Sequence, residues 1–303
     1  MVASHAHPQQ HFFRGIGLIM AAVFLFSSMD TLVKYLLRSY PLVPLIWARY
    51  FVHLLFMLVL LGPRMRLGLV RTSRPKLQVL RGLLLVGSTG LFYLSLKFLP
   101  LAEAAAISFV GPVLVTAFSG PLLHEKVSRR QWFAVGLGFI GVLVIIRPGG
   151  SVFTPTALIP LGTALCFSLY QIATRKVAGR DDPFTTLFYT ALVGSAVTTL
   201  TLPFAWHAPE PWQLGLMIVI GFFGGTGHLL LIRAVTCASP MALAPFVYSQ
   251  LIWSTLLGWL VFGEFPDGGT LLGMLIVIAA GMLAINWQHM RRRTDTTDQA
   301  QLH

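Results

Sequence analysis

The chain is written twice, and that repetition limits the architectures open to it more than any single motif does. FSSMDTLVK at 26–34 returns as FSLYQIATR at 167–175, with Phe, Ser and a terminal cation in register. GSTG at 87–90 returns as GGTG at 224–227, and the Phe-Val pair at 109–110 returns at 246–247 on the same offset. A glutamate closes each copy, Glu125 in LLHEKVS and Glu264 in VFGEFPD. Self-similarity of this kind constrains the fold before any local feature does. Each copy holds five long apolar runs, too hydrophobic for a soluble array. The expected class is therefore an all-α membrane protein of ten transmembrane helices. An odd number of spans per copy sets the second copy upside down, as two inverted five-helix repeats.

Of the 303 residues, 55% are hydrophobic and 11% charged, against about 25% charged in an ordinary soluble domain. A net charge of +12 could serve nucleic acid or an anionic membrane surface. Nearly all the Lys and Arg stand in short segments between apolar runs, without the interleaved aromatics of a nucleic-acid groove, so no nucleic-acid partner is expected. Cys166, inside an apolar run, and Cys237, placed in a turn, form no metal-ligand or disulfide spacing.

A helix needs about 20 apolar residues to cross the hydrocarbon core. Runs of that kind cover 15–37, 43–61, 80–98, 101–122, 131–147, 156–174, 184–205, 212–232, 240–262 and 269–287. Turn signals separate them, among them Gly62-Pro63, Pro100, Arg147-Pro148-Gly149-Gly150 and Asp181-Asp182-Pro183. The organisation that follows is a cytoplasmic leader over 1–14, a first repeat over 15–148, a second over 156–287 and a polar cytoplasmic tail over 288–303. Leader and tail are expected to add no fixed structure, and the three histidines of the leader lack a defined ligand spacing. Orientation follows the Lys and Arg of short loops. With the N-terminus inside, 17 of the 22 Lys and Arg, Arg81 included, lie in inner segments. The remaining five are Lys34, Arg38, Arg49, Lys97 and Arg147. Both termini are thus expected in the cytoplasm.

The segments YLSLKFLPLAEAAAISFVGPVLVTAFSGPLLHEKVSRRQWFAVGLGFIGVLVIIRP (93–148) and RAVTCASPMALAPFVYSQLIWSTLLGWLVFGEFPDGGTLLGMLIVIAAGMLAI (233–285), with the weaker first-helix match, resemble the drug/metabolite transporter superfamily, EamA type. The resemblance implies a multi-pass secondary carrier in a bacterial inner membrane, exporting a small polar or zwitterionic metabolite: amino-acid-like, an opine-type metallophore or a drug. An importer of a flavin or a methylated metabolite is the alternative. Its partners are then a small-molecule cargo, membrane lipids and a proton or counter-ion. The motifs leave the oligomeric state open.

Charge inside a bilayer is costly and marks candidate sites. Asp30, Lys34 and Arg49 are the charges expected within spans. At about 1.5 Å rise per residue, Asp30 and Arg49 share a depth some 4 to 6 Å outward of the span centres. An interhelical ion pair is therefore possible, structural in the first reading and coupling or cargo-binding in the second. Lys34, one turn beyond Asp30, is expected to reach outward. His53, one turn from Arg49, reads as a structural histidine. His228 replaces Leu91 of the first copy and so suggests cavity lining. Tyr93, Tyr170, Gln171, Tyr248, Gln250 and Trp253 all fall within about 8 Å of the midplane, the depth of substrate sites in repeat transporters. With His228 they form the expected substrate site. The glycines at 82, 87, 90, 136, 138, 141, 221, 224, 225 and 227 are read as close-packing surfaces. Glu125 and Glu264 are expected to cap the helices that follow them.

No G-x-S-x-G, H-E-x-x-H or Walker-type loop stands in the chain, so neither an enzyme, a cofactor nor a nucleotide-driven pump is expected. A channel or lipid scramblase stays compatible with the repeat. The orientation is checked by single cysteines at Gly150 and Arg71: impermeant reagent in intact cells should label the first only, and labelling of both from one side would overturn the inverted topology.

Overall fold

The computed structural model describes residues 8–124, 127–147 and 155–300, and among these all regular structure is helical. The helices are α1 (Pro8–Leu36), α2 (Leu42–Met65), α3 (Pro75–Ser95), α4 (Leu101–Ser108), α5 (Gly111–Leu123), α6 (Arg129–Ile146), α7 (Ile159–Val177), α8 (Pro183–Thr201), α9 (Pro211–Cys237), α10 (Pro240–Val247), α11 (Ser249–Phe262) and α12 (Gly268–Ala300). Among the described residues, nine segments are long and apolar enough to cross a membrane, and Gly268–Ala284 adds a shorter apolar run. Each expected span has its helix. The outer surface is apolar, with Val59 78% exposed and Leu200 75% exposed. Such faces would aggregate in water and are solvated by lipid tails.

Several boundaries differ from the sequence reading. The helix of the first span starts at Pro8, inside the expected leader, since Pro suits a first helical turn. Pro63 does not end the second span but lies inside α2. At the other end α12 runs to Ala300, through the tail expected to lack structure. Between 288 and 300 the sequence has neither Gly nor Pro, and propagating a helix costs far less than nucleating one. Cys237 is the last residue of α9 rather than part of a turn. The fourth and ninth spans are each broken, as α4 and α5 and as α10 and α11.

The chain divides into two compact units, Met1–Ser73 with Gly179–Phe262, and Arg74–Ala178 with Gly263–His303. In the first unit α1 packs on α9, α11 and α10, and α2 packs on α9 and α8. Apolar cores form around Met57, Leu61 and Phe188 and around Ile19, Ala234 and Leu243. Its loops are pinned by hydrogen bonds. The Tyr40 hydroxyl donates to the His207 carbonyl at 2.5 Å, and its burial raises the phenol's pKa. The Asp181 carboxylate accepts from the Ser73 N–H at 2.9 Å, from the Ser73 hydroxyl at 2.8 Å and from the Thr72 hydroxyl.

In the second unit α6 packs on α12, and α7 on α3 and α5. Here the Glu264 carboxylate accepts the Leu101 N–H at 3.3 Å. It therefore serves the N-terminus of α4. The start of α12 is served by Asp267, which accepts the Thr270 N–H at 2.8 Å and pairs with Arg147. The Arg147 guanidinium holds the Asp267 carboxyl well below the usual carboxylate range. Glu125, expected to cap likewise, lies outside the described residues.

The glycines divide by neighbour. A Cβ at Gly138 would lie 2.8 Å from Val113, and one at Gly221 would lie 2.7 Å from the Ala48 carbonyl and strike Val52. Gly136 and Gly215 have nothing within 4 Å, so Gly136 departs from the expected packing role. We predict that Gly221→Ala lowers thermal stability in detergent by about 1–3 kcal/mol, the usual cost of overpacking. Gly215→Ala, on the same helix, should be neutral or stabilising by up to about 1 kcal/mol. Equal effects at the two positions would show that the α2–α9 contact is not what Gly221 serves.

Candidate functional site

The buried polar groups of the first unit gather where α1, α2 and α9 meet. What brings the helices so close is the GGTG segment of α9. A Cβ on Gly224 would lie 3.4 Å from the Met29 sulfur and 3.7 Å from Arg49 Cγ. One on Gly225 would lie 3.0 Å from the His53 ring, and one on Gly227 2.7 Å from the Phe26 ring. Three small residues thus seat α9 on both α1 and α2. Asp30 (4% exposed) and His53 (3% exposed) are enclosed there. Arg49, half-buried, meets the same Gly224 position as Met29, the residue before Asp30.

His53 is not a lone histidine, as its sequence suggests. Its ring lies parallel to that of His228, with centroids 5.8 Å apart and 8° between the planes. His228 in turn meets the Phe26 ring edge-on at 5.0 Å. On the far side of α1, Trp253 of α11 makes an edge contact with Phe24 at 4.9 Å. The Ser27 hydroxyl donates to the Gln250 carbonyl at 3.3 Å and lies 3.4 Å from that of Ser254. Tyr248, 5% exposed, occupies the joint between α10 and α11. Three buried polar atoms of this unit, His53 Nε2, Trp253 Nε1 and Thr226 Oγ1, have no hydrogen-bond partner among the described residues. Buried polar atoms of that kind are rare in folded proteins and call for an explanation. Lys34 is buried at 8% exposure, with its ammonium 5.2 Å from the centre of the Phe262 ring.

Tyr93, Tyr170 and Gln171 belong to the other unit. Tyr93, on α3, is fully buried, and Gln171, on α7, is half-buried. Tyr170 is engaged by a residue that the sequence placed in a cytoplasmic segment. Arg81, on α3, is 1% exposed. Its Nε donates to the Thr174 hydroxyl at 2.8 Å, Nη1 to Gln78 Oε1 at 2.7 Å and Nη2 to the Tyr170 hydroxyl at 3.2 Å. The guanidinium also lies 4.9 Å from the Tyr170 ring centre, a cation–π contact. Counting charges near a span end cannot reveal this burial. The nearest sequence signal is Gln78, three residues before Arg81 on the same helix face.

Also missed were the breaks at residues 109–110 and 248. Gly111-Pro112 follows the first and Pro245 precedes the second. These are the interruptions that, at matching places in two halves, point to a transport site.

Comparison with known proteins converges on one family. The model of the EamA-like transporter family matches twice, over residues 13–147 and 154–286. An S-adenosylmethionine uptake transporter of Rickettsia bellii is 30% identical, covering 89% of this chain and 93% of its own. A riboflavin transporter of Vibrio cholerae is 27% identical over 75% of this chain and 76% of its own. The pseudopaline exporter CntI of Pseudomonas aeruginosa is 26% identical over 88% of this chain and 94% of its own. One protein crystal structure covers 91% of this chain and 97% of its own with a TM-score of 0.62 at 17% identity, a likeness of fold alone.

The Arg81 cluster yields a test. Hydrogen bonds to a charged group contribute roughly 1.5–3 kcal/mol each, and a lysine cannot reproduce the planar fork. Arg81→Lys should therefore lower thermal stability by about that amount or more, whereas Tyr170→Phe should cost about 0.6 kcal/mol, typical of a hydrogen bond between membrane helices. A fully stable Arg81→Lys variant would remove Arg81 as the clamp between α3 and α7.

Proposed function

Because the chain belongs to the EamA-like transporter family, we propose that it is a secondary carrier moving a small polar or zwitterionic metabolite across the membrane by alternating access. The family and the named relatives make it a multi-pass membrane transporter and not an enzyme. The observation that carries the finer reading is the polar cluster of the first unit: enclosed charges and unpartnered polar atoms inside a bundle whose outer surface is apolar. Such groups cost free energy in an apolar interior unless something pairs with them. A cargo that carries its own charges and hydrogen-bonding groups does so.

The cargo contacts in this reading are His228, Tyr248, Gln250 and Trp253, with Tyr93, Tyr170 and Gln171 as candidates within their own unit. The repeats run over 15–148 and 156–287, inverted, with both termini cytoplasmic in a bacterial inner membrane. Helix pairing supports the repeat. The first helix of each copy packs on the third helix of the other, as α1–α9 and α7–α3. It packs likewise on both halves of the other copy's broken span, as α1–α10 with α1–α11 and α7–α4 with α7–α5. A proton or counter-ion gradient drives the cycle.

Export is the direction first expected, and a relative named as an exporter supports it. Uptake is the second reading, favoured by the S-adenosylmethionine uptake transporter at 30% identity. The test is counterflow of labelled S-adenosylmethionine, with riboflavin in parallel, in proteoliposomes of the full chain. Saturable exchange of either is expected, falling about tenfold or more in Trp253→Ala and Tyr248→Ala, in line with the loss of a desolvated aromatic contact, in protein that still folds and reconstitutes. Non-saturable flux would identify a channel, and wild-type exchange in both variants would place the site elsewhere.

A further inference from the structure

We propose that Asp30 and Arg49 read the two poles of an α-amino-acid head group on the cargo, Asp30 taking the ammonium and Arg49 the carboxylate. This rests on the reading of the protein as a carrier of zwitterionic metabolites and assigns the recognition to two residues of one cluster.

Asp30 on α1 and Arg49 on α2 are opposite charges on helices that both pack on α9, and one point on α9, the Cβ position of Gly224, lies 3.4 Å from the sulfur of Met29, the residue before Asp30, and 3.7 Å from Arg49 Cγ. An α-amino acid presents the same two charges on a single carbon. When such a head group enters, the Asp–Arg attraction is exchanged for two cross pairs, ammonium to Asp30 and carboxylate to Arg49. The summed charge of the site is zero before and after. At no stage is one ion buried without a partner, the situation that costs most in an apolar interior. A cargo with a single charge cannot make this exchange. The planar guanidinium fork matches a carboxylate with two parallel hydrogen bonds, which adds selectivity to the electrostatics.

A purely structural pair accounts poorly for the surroundings. The helices it would join are already held by the glycine contacts of α9 with Met29, Arg49 and the His53 and Phe26 rings. A buried ion pair adds little to stability beyond what apolar packing supplies. The same cluster also holds His53 Nε2, in a side chain 97% buried by its 3% exposure, without a hydrogen-bond partner among the described residues. Within the unit, Trp253 Nε1 is in the same position, beside the Phe24 ring. Those atoms are available to the hydrogen-bonding groups of the rest of the cargo. Lys34, the cation of α1 in this region, lies over Phe262.

The test uses the purified full chain in lipid nanodiscs and three probes. They are S-adenosylmethionine, its decarboxylated form, which keeps the ammonium and the sulfonium but no carboxylate, and methylthioadenosine, which lacks both the head group and the sulfonium charge. Wild type should bind S-adenosylmethionine about 30-fold or more tighter than either, the factor expected for removing one partner of an enclosed charge pair. Arg49→Gln should abolish the preference for S-adenosylmethionine over its decarboxylated form. Asp30→Asn with Arg49→Gln, which strands no charge and so keeps the fold, should bind S-adenosylmethionine and its decarboxylated form alike. A double variant that retains the wild-type preference overturns the proposal. So does a wild type that exchanges riboflavin saturably but discriminates none of the three probes, a result that leaves the carrier reading intact. A wild type with no saturable exchange of any probe removes both.

Discussion

The polar cluster depends on how near α9 can come to two other helices at once. Lipid offers transmembrane helices no hydrophobic drive toward each other, so close packing has to supply it. On α9 that packing comes from Gly221, Gly224, Gly225 and Gly227, each of which leaves room for a side chain or carbonyl of α1 or α2. Any larger residue at Gly225 or Gly227 would push away the His53 or Phe26 ring. With the backbone drawn in, Asp30 and His53 are buried, Arg49 stands beside Gly224, and the His53 ring lies against that of His228. Without it, those groups would face hydrocarbon, where an unpaired charge costs at least a few kcal/mol. The glycines are thus a condition for the charges, which is why the two occur on the same stretch of neighbouring helices.

How much of this could be read from the chain depends on whether the signal is local. Span positions are legible because crossing a bilayer demands a run of apolar residues, and every expected run has its helix. Interruptions are less legible. Hydropathy records side chains, whereas a break is a property of backbone hydrogen bonds. At 109–110 and 248 the side chains stay apolar or aromatic across the break. Only the neighbouring Gly111-Pro112 and Pro245 hint at it. Pro63 shows why such hints mislead, since α2 continues through it. Glu264 shows a second limit. A carboxylate next to a helix start suggests a cap for that helix, but nothing local reveals its bond to α4, distant in sequence, or the neighbouring role of Asp267.

The candidate site was legible as residues and not as an assembly. Asp30, Arg49 and His228 stand out because polar groups in apolar runs are rare. That His53 and His228 lie face to face could not be derived from positions 53 and 228, which belong to different copies. The repeat offers a partial clue: GGTG is followed by His228 where GSTG is followed by Leu91. The substitution marks a place where the second copy does something the first does not, and the parallel imidazoles are what it does.

Two cations, the buried Arg81 and the half-buried Arg49, separate structural from functional polarity on physical grounds. Arg81 has Thr174, Gln78 and Tyr170 as acceptors, all from α3 and α7, with its guanidinium over an aromatic ring. Those contacts come from side chains whose geometry needs no further molecule, and they join two helices that already pack. Arg49 likewise lies over an aromatic ring, Tyr50 at 5.6 Å, but in its unit the buried atoms His53 Nε2, Thr226 Oγ1 and, across α1, Trp253 Nε1 have no acceptor or donor among the described residues. In an apolar interior an unmet polar atom costs roughly 1–3 kcal/mol, so three of them carry a cost comparable with much of a domain's net stability. A group that only held helices together would gain nothing by keeping that cost. A group that must bind a polar molecule, and then let it go, needs such atoms to be satisfied by the molecule and not by the protein.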